Sequence, residues 1–132
     1  MIKRPKWNEK YSVNAEKIDL QHKKLFDIIN STIDVYESGH GELLPVFKEL
    51  ADYLQYHFAT ENEYMLEHEY PDFLAHHKEH QKFTKKMLSF LDRADEAKSD
   101  LARDVLIFLK EWYVDHVPGT DKNMGLFLKG KL

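Results

Sequence analysis

The chain has 132 residues, 42% of them hydrophobic, which is enough for one domain with a buried core. Its net charge is −4, and the basic residues are interspersed with acidic ones, so no nucleic-acid footprint is present. There is no cysteine, which excludes disulfides, iron–sulfur clusters and thiol catalysis.

Residues 1–15 predict an extended N-terminal arm. Pro5, Asn8, Ser12 and Asn14 discourage helix there, while Trp7, Tyr11 and Val13 can pack against a helical body. Residues 16–132 predict a bundle and a C-terminal tail, so that 1–132 forms a single domain. Four amphipathic segments carry apolar residues at the three- and four-residue spacing of a helix face. Ile18, His22, Leu25, Phe26, Ile29 and Ile33 mark the first, which ends near Ser38-Gly39. Leu43, Phe47, Leu50, Leu54, His57, Glu61 and Met65 mark the second, with Pro45 acceptable only in its first turn. Phe73, His76, His80, Phe83, Met87 and Phe90 mark the third, after Tyr70-Pro71. Leu101, Val105, Phe108, Trp112 and His116 mark the fourth, which the sequence starts near Ser99 as N-cap and stops at Pro118-Gly119. The tail from Asp121 has room for a further helical turn carrying Leu126, Phe127 and Leu128. Short connections force antiparallel neighbours, so the predicted fold is an all-α, up-down-up-down four-helix bundle.

Five of the eight histidines lie on these apolar stripes. His57 and Glu61 are four apart, as are His76 and His80, and each such pair projects from one helix face. His22 adds a donor from the first helix. His116 is followed by Asp121 across Pro118-Gly119. Seven donors exceed the four of a tetrahedral zinc site. They suit two octahedral ions that share carboxylates and keep one coordination position free. A carboxylate at a core-facing position such as Glu61 is costly unless it is paired or metal-bound. A plain ion-pair network around His57 and Glu61 accounts for one such pair but not for all of them. His40, between two glycines, and His68, in a polar run, read as surface residues. His77 reads as a rim residue beside the ligands, since the apolar series passes through His76. Nitrogen and carboxylate donors suit iron without excluding manganese or zinc.

In order and spacing these residues resemble the hemerythrins in their single-domain bacterial form. The similarity runs from Trp7…Tyr11-Ser12-Val13 and Ile18-Asp19-x-Gln21-His22-Lys23-x-Leu25-Phe26 through His57-Phe58-x-x-Glu61-x-x-Tyr64-Met65 and Tyr70-Pro71. It continues with His76-x-x-x-His80-x-x-Phe83 and Trp112-x-x-x-His116-x-x-x-x-Asp121, then Gly125 and Leu128. The resemblance implies a non-haem di-iron centre that binds O2 reversibly. It implies His76, His80 and His116 on one iron, His22 and His57 on the other, and Glu61, Asp121 and a hydroxide or oxide as bridges. The free position then belongs to the iron of His22 and His57, with Tyr113, Trp112 and Val117 beside the O2 pocket. Two positions depart from the family's habit. Asn14 stands where glycine is common, and asparagine also tolerates positive φ. Tyr113 stands where leucine is common, and its hydroxyl either reaches the bound gas or emerges at the surface.

The functional expectation is O2 storage, transport or delivery, without catalysis, with O2 as ligand and an oxygen-consuming enzyme as recipient. An O2- or peroxide-dependent enzyme using Tyr113, a sensor acting through a separate partner, and iron handling are the competing readings. The positive N-terminus is followed by no apolar run, and no stretch approaches the ~20 apolar residues of a membrane helix. The expected protein is therefore cytoplasmic, not inserted in a membrane, and a monomer or weak oligomer.

Overall fold

The computed structural model describes residues 4–39, 41–93 and 95–132; His40 lies outside this set. Its α-helices are α1 (Glu16–Ser38), α2 (Leu43–Glu67), α3 (Phe73–Leu91), α4 (Lys98–Glu111) and the short α5 (Lys122–Leu128), with a wide-turned segment, Trp112–Asp121, joining the last two; the arm before α1, expected to be extended, contains one 3-10 turn at Glu9–Tyr11. The described residues form no strand. The architecture is the predicted all-α four-helix bundle. α1 packs against α2 and α4, and α2 against α3. Aromatic rings join α3 to α4 and to the segment after it: Phe83 lies 5.0 Å from Phe108 of α4 and 4.5 Å from Trp112.

The helix boundaries follow from local chemistry. α1 ends at Gly39, whose φ of 68° is the left-handed conformation that glycine adopts without a Cβ penalty. Pro45 sits in the first turn of α2, where its missing N–H costs no intrahelical bond. The α2 terminus closes with the Tyr70 amide donating to the Met65 carbonyl across Glu69, which itself takes φ 55°. Two boundaries of the fourth segment differ from the sequence reading. α4 starts two residues earlier than expected, with Ala97 rather than Ser99 at the N-cap and no side-chain cap. The chain also does not break at Pro118-Gly119 but passes through both in π-helical turns. Pro118 has no N–H to give and would clash with the carbonyl four residues back in an α-helix. Widening the turns lets the helix continue past it.

One core cluster fills the bundle between Leu25 and Val117, around residues such as Leu50, Phe83, Val105 and Leu109. A second, at the opposite end, gathers Val13, Ala15, Ile18, Met65, Tyr70, Met124 and Leu128. The stripes of α1 and α2 are buried throughout, whereas Phe73, Phe108 and Trp112 are half-buried and Leu126 is exposed.

The arm is fastened at its C-terminal end. Asp19 in the first turn of α1 accepts from the Val13 amide at 2.9 Å and from the Ser12 hydroxyl at 2.7 Å. This holds Asn14 at φ 61°, the positive value that asparagine tolerates. Val13 is then pressed onto Gly125 of α5. A Cβ at position 125 would overlap the Val13 carbonyl oxygen and lie 2.7 Å from its carbonyl carbon. Gly125→Ala is therefore expected to destabilise the protein by about 1–3 kcal/mol, the range for overpacking a filled site. A chemical-denaturation midpoint equal to the parent's would show that the arm yields freely.

Candidate metal centre

Between the two core clusters lies a buried polar layer of His22, His57, Glu61, His76, His80, His116 and Asp121. The helix stripes account for this. His22 comes from α1, His57 and Glu61 from α2, His76 and His80 from α3. His116 and Asp121 come from the π-helical segment. Residues five apart point about 140° away from each other around an α-helix. The wider π turn, with its i→i+5 repeat, returns them to one face, and His116 Nε2 lies 2.8 Å from Asp121 Oδ1.

The ligand atoms fall into two groups with shared members. One comprises Glu61, His76, His80, His116 and Asp121; the other His22, His57, Glu61 and Asp121. Within each group one donor atom per residue lies within 4.8 Å of every other. Glu61 and Asp121 belong to both, which is the arrangement two neighbouring cations with common carboxylates need. His80 Nε2 is 2.9 Å from Glu61 Oε1, and His22 Nε2 is 3.0 Å from Asp121 Oδ2.

These approaches are close, yet most are not hydrogen bonds. The Nε2 atoms of His22, His57, His80 and His116, Glu61 Oε2 and both Asp121 oxygens are buried without a hydrogen-bond partner. Orphaned buried polar atoms are rare in native proteins because each costs its full desolvation. Here they converge on shared space, and cations placed there would satisfy them together. The donor set, imidazole nitrogens with two carboxylates and no sulfur, suits iron. The residues present therefore fit a pair of iron ions.

The outer nitrogens of two of the rings are fixed. His57 Nδ1 lies 2.6 Å from the Gln21 side-chain oxygen, whose amide nitrogen in turn donates to the Thr60 hydroxyl at 3.0 Å. His116 Nδ1 lies 2.9 Å from Glu79, which also accepts from Thr120. Such partners set the tautomer and aim the other nitrogen at the metal. Packing orients the rings too: Trp112 stacks on His116 at 3.7 Å, and Phe58 on His80 at 3.8 Å.

Proton affinities in the metal-free protein reflect this crowding. Burial lowers His57 to about 4 against the pull of Glu61, and burial also lowers His80. For His76 burial is outweighed by the Asp121 and Glu61 carboxylates, which raise it to about 9. Asp121 and Glu79 likewise overcome burial at His116 and raise it to about 10. Burial and Asp121 oppose ionisation of Glu61, but the imidazoles prevail and hold it near 2.

A family model, the hemerythrin HHE cation binding domain, matches residues 13–126. The chain belongs to the hemerythrin family. The bacteriohemerythrin of Methylococcus capsulatus is 30% identical, over 87% of this chain and 88% of its own length. That of Clostridium acetobutylicum is 27% identical, over 88% and 95%. The crystal structure of a wild-type hemerythrin superposes with a TM-score of 0.78 at 29% identity, covering 96% of this chain and 98% of that one. Hemerythrins are di-iron, oxygen-binding proteins rather than enzymes, and the buried cluster is able to hold that cofactor. No helix among the described residues is long and apolar enough to cross a membrane.

All seven ligand candidates read from the sequence meet in this cluster. His77 stays outside it, half-buried and stacked on Phe73 at 5.5 Å, and His68 is half-buried at the end of α2. Of the pocket candidates, Trp112 covers His116 and Val117 is buried. Tyr113 is buried with its ring edge-on to Phe26 at 5.3 Å and to Tyr11 at 6.3 Å. Its phenol is shifted upward by burial and by Tyr11. Gln21 and Glu79 orient ligand imidazoles, and Tyr53 stacks on His57 at 5.0 Å; the sequence reading assigned none of the three a role. Their signal was position: Gln21 adjoins His22, Glu79 is three from His76, and Tyr53 continues the 57–61 stripe one turn back.

Proposed function

We propose that this protein binds O2 reversibly at a di-iron centre and serves oxygen storage, transport or delivery. In this reading His76, His80 and His116 would hold one ion, His22 and His57 would hold the other, and Glu61 and Asp121 would be shared between them. The observation that carries it is the pair of overlapping donor groups with Glu61 and Asp121 in common. The first group has one imidazole more than the second, so with two ions bound a free coordination position would fall on the His22–His57 side. When bound, two iron ions supply the electrons that reversible O2 binding requires.

The chain's own residues supply the rest. Gln21 and Glu79 keep two of the imidazoles aimed inward. The aromatic shell of Phe26, Phe58 and Trp112, with Val117 and the Tyr113 ring, keeps bulk water from a polar layer that is itself fully buried. Excluding water protects a reduced centre from side reactions. Ligation rich in histidine also distinguishes this cluster from the glutamate-rich di-iron sites built on Glu-x-x-His motifs, and this supports a carrier over an oxygenase. The recipient of the oxygen is an oxygen-consuming enzyme in this reading. Cycles of aeration and degassing, followed by absorption spectroscopy of the iron-loaded protein, test the proposal.

A further inference from the structure

Tyr53 lies on α2 one turn before His57. Its ring stacks on the His57 imidazole, with centroids 5.0 Å apart and planes 17° from parallel. The side chain is only 7% exposed, and its hydroxyl oxygen is buried without a hydrogen-bond partner. A buried phenol normally finds a partner, because an unmade bond costs its desolvation. No structural bond claims this one. It is a buried, unsatisfied polar atom on a ring that packs against His57, a member of the polar layer.

We infer that the Tyr53 hydroxyl donates a hydrogen bond to the exogenous ligand, O2 or a small anion, taken up on the His22–His57 side of the centre. The inference rests on the reading of the cluster as a di-iron site. Stacking on His57 fixes the phenol beside one of the two imidazoles of that side, and a ring held by packing donates without much loss of side-chain freedom. Tyr113, the tyrosine that the sequence singled out, is less suited. Its ring is engaged edge-on by Phe26 and Tyr11, and it stacks on no imidazole of the centre.

The test uses azide as the probe anion on the iron-loaded, oxidised protein, titrated by absorption, together with thermal melting of the metal-free protein. Tyr53→Phe is expected to weaken azide binding about tenfold, as loss of a hydrogen bond to a charged acceptor does. The same change should leave the metal-free melting midpoint equal or higher, since it removes an unsatisfied hydroxyl. Tyr56→Phe, on an exposed residue of the same helix, should alter neither. Equal azide affinity in parent and Tyr53→Phe, with both carrying full iron, would overturn the inference and leave the di-iron reading standing. A fall in the metal-free midpoint without a change in affinity would assign the hydroxyl a structural role and overturn it too. Failure of the parent itself to take up iron or azide would remove the di-iron reading and this inference with it.

Discussion

Iron-loaded protein is expected to contain about two ions per chain, as a site with two overlapping donor groups requires. His76→Ala and His80→Ala should each lower that content well below two, because each removes a donor from the group holding three imidazoles. His77→Ala should leave it unchanged. Its ring lies on Phe73 at the rim and no atom of it belongs to either group. Changing Gln21 or Glu79 to alanine should weaken rather than abolish metal binding, by about 10–100-fold, the usual cost of losing a partner that orients a ligand. Metal analysis after dialysis against a graded chelator series distinguishes these cases. Loss of iron in His77→Ala with retention in His76→Ala would reverse the assignment of that helix.

Metal removal should lower stability sharply. Without cations the unsatisfied imidazoles and the Glu61 and Asp121 carboxylates face each other in a sealed layer. A ligand present at a thousandfold excess over its dissociation constant stabilises a fold by about 4 kcal/mol, which in a chain of this size shifts the melting midpoint by roughly 10 °C or more. The pH dependence should differ as well. In the metal-free protein His76 and His116 are raised to about 9 and about 10. Groups raised on folding contribute stability that is complete below their unfolded value of about 6.5 and is lost as pH rises through the folded one. The metal-free protein should therefore weaken between neutral pH and about 10. The loaded protein should lack this alkaline loss, since metal holds those imidazoles unprotonated. Loading near pH 7 should correspondingly release protons from His76 and His116. Equal melting curves with and without metal at both pH values would contradict a buried, fold-coupled site.

Much of this molecule was legible because helices repeat every 3.6 residues and the ligands obey the repeat. His57 and Glu61, and His76 and His80, sit on stripes otherwise made of leucine, phenylalanine and methionine, so burial of the polar residues followed from burial of the stripe. His77 could be set aside for the same reason. The fourth segment was less legible. His116 and Asp121 are five apart, a spacing that an α-helix sends to different faces, and Pro118-Gly119 reads as a stop in any α-helical count. The π-helical turns that reunite the two residues arise from tertiary packing and from the proline's missing donor, neither of which appears in a periodicity. Tyr53 escaped notice because a tyrosine on an apolar stripe reads as core until its hydroxyl is seen without a partner. Gln21 and Glu79 were hidden by their ordinary polar neighbours, Lys23 and Lys78 among them. Their roles depend on which ring nitrogen faces them in three dimensions.

Reversible oxygenation separates an oxygen carrier from an oxidase. Iron-loaded protein, reduced under nitrogen, would be exposed to air, returned to nitrogen and cycled again while its visible spectrum is recorded and its iron content checked. A carrier shows an absorption band that appears with O2, disappears on its removal and returns with similar amplitude in later cycles at constant iron content. A spectrum that changes once on aeration and does not revert, with both irons still bound, would contradict it and place the centre among oxidases rather than carriers.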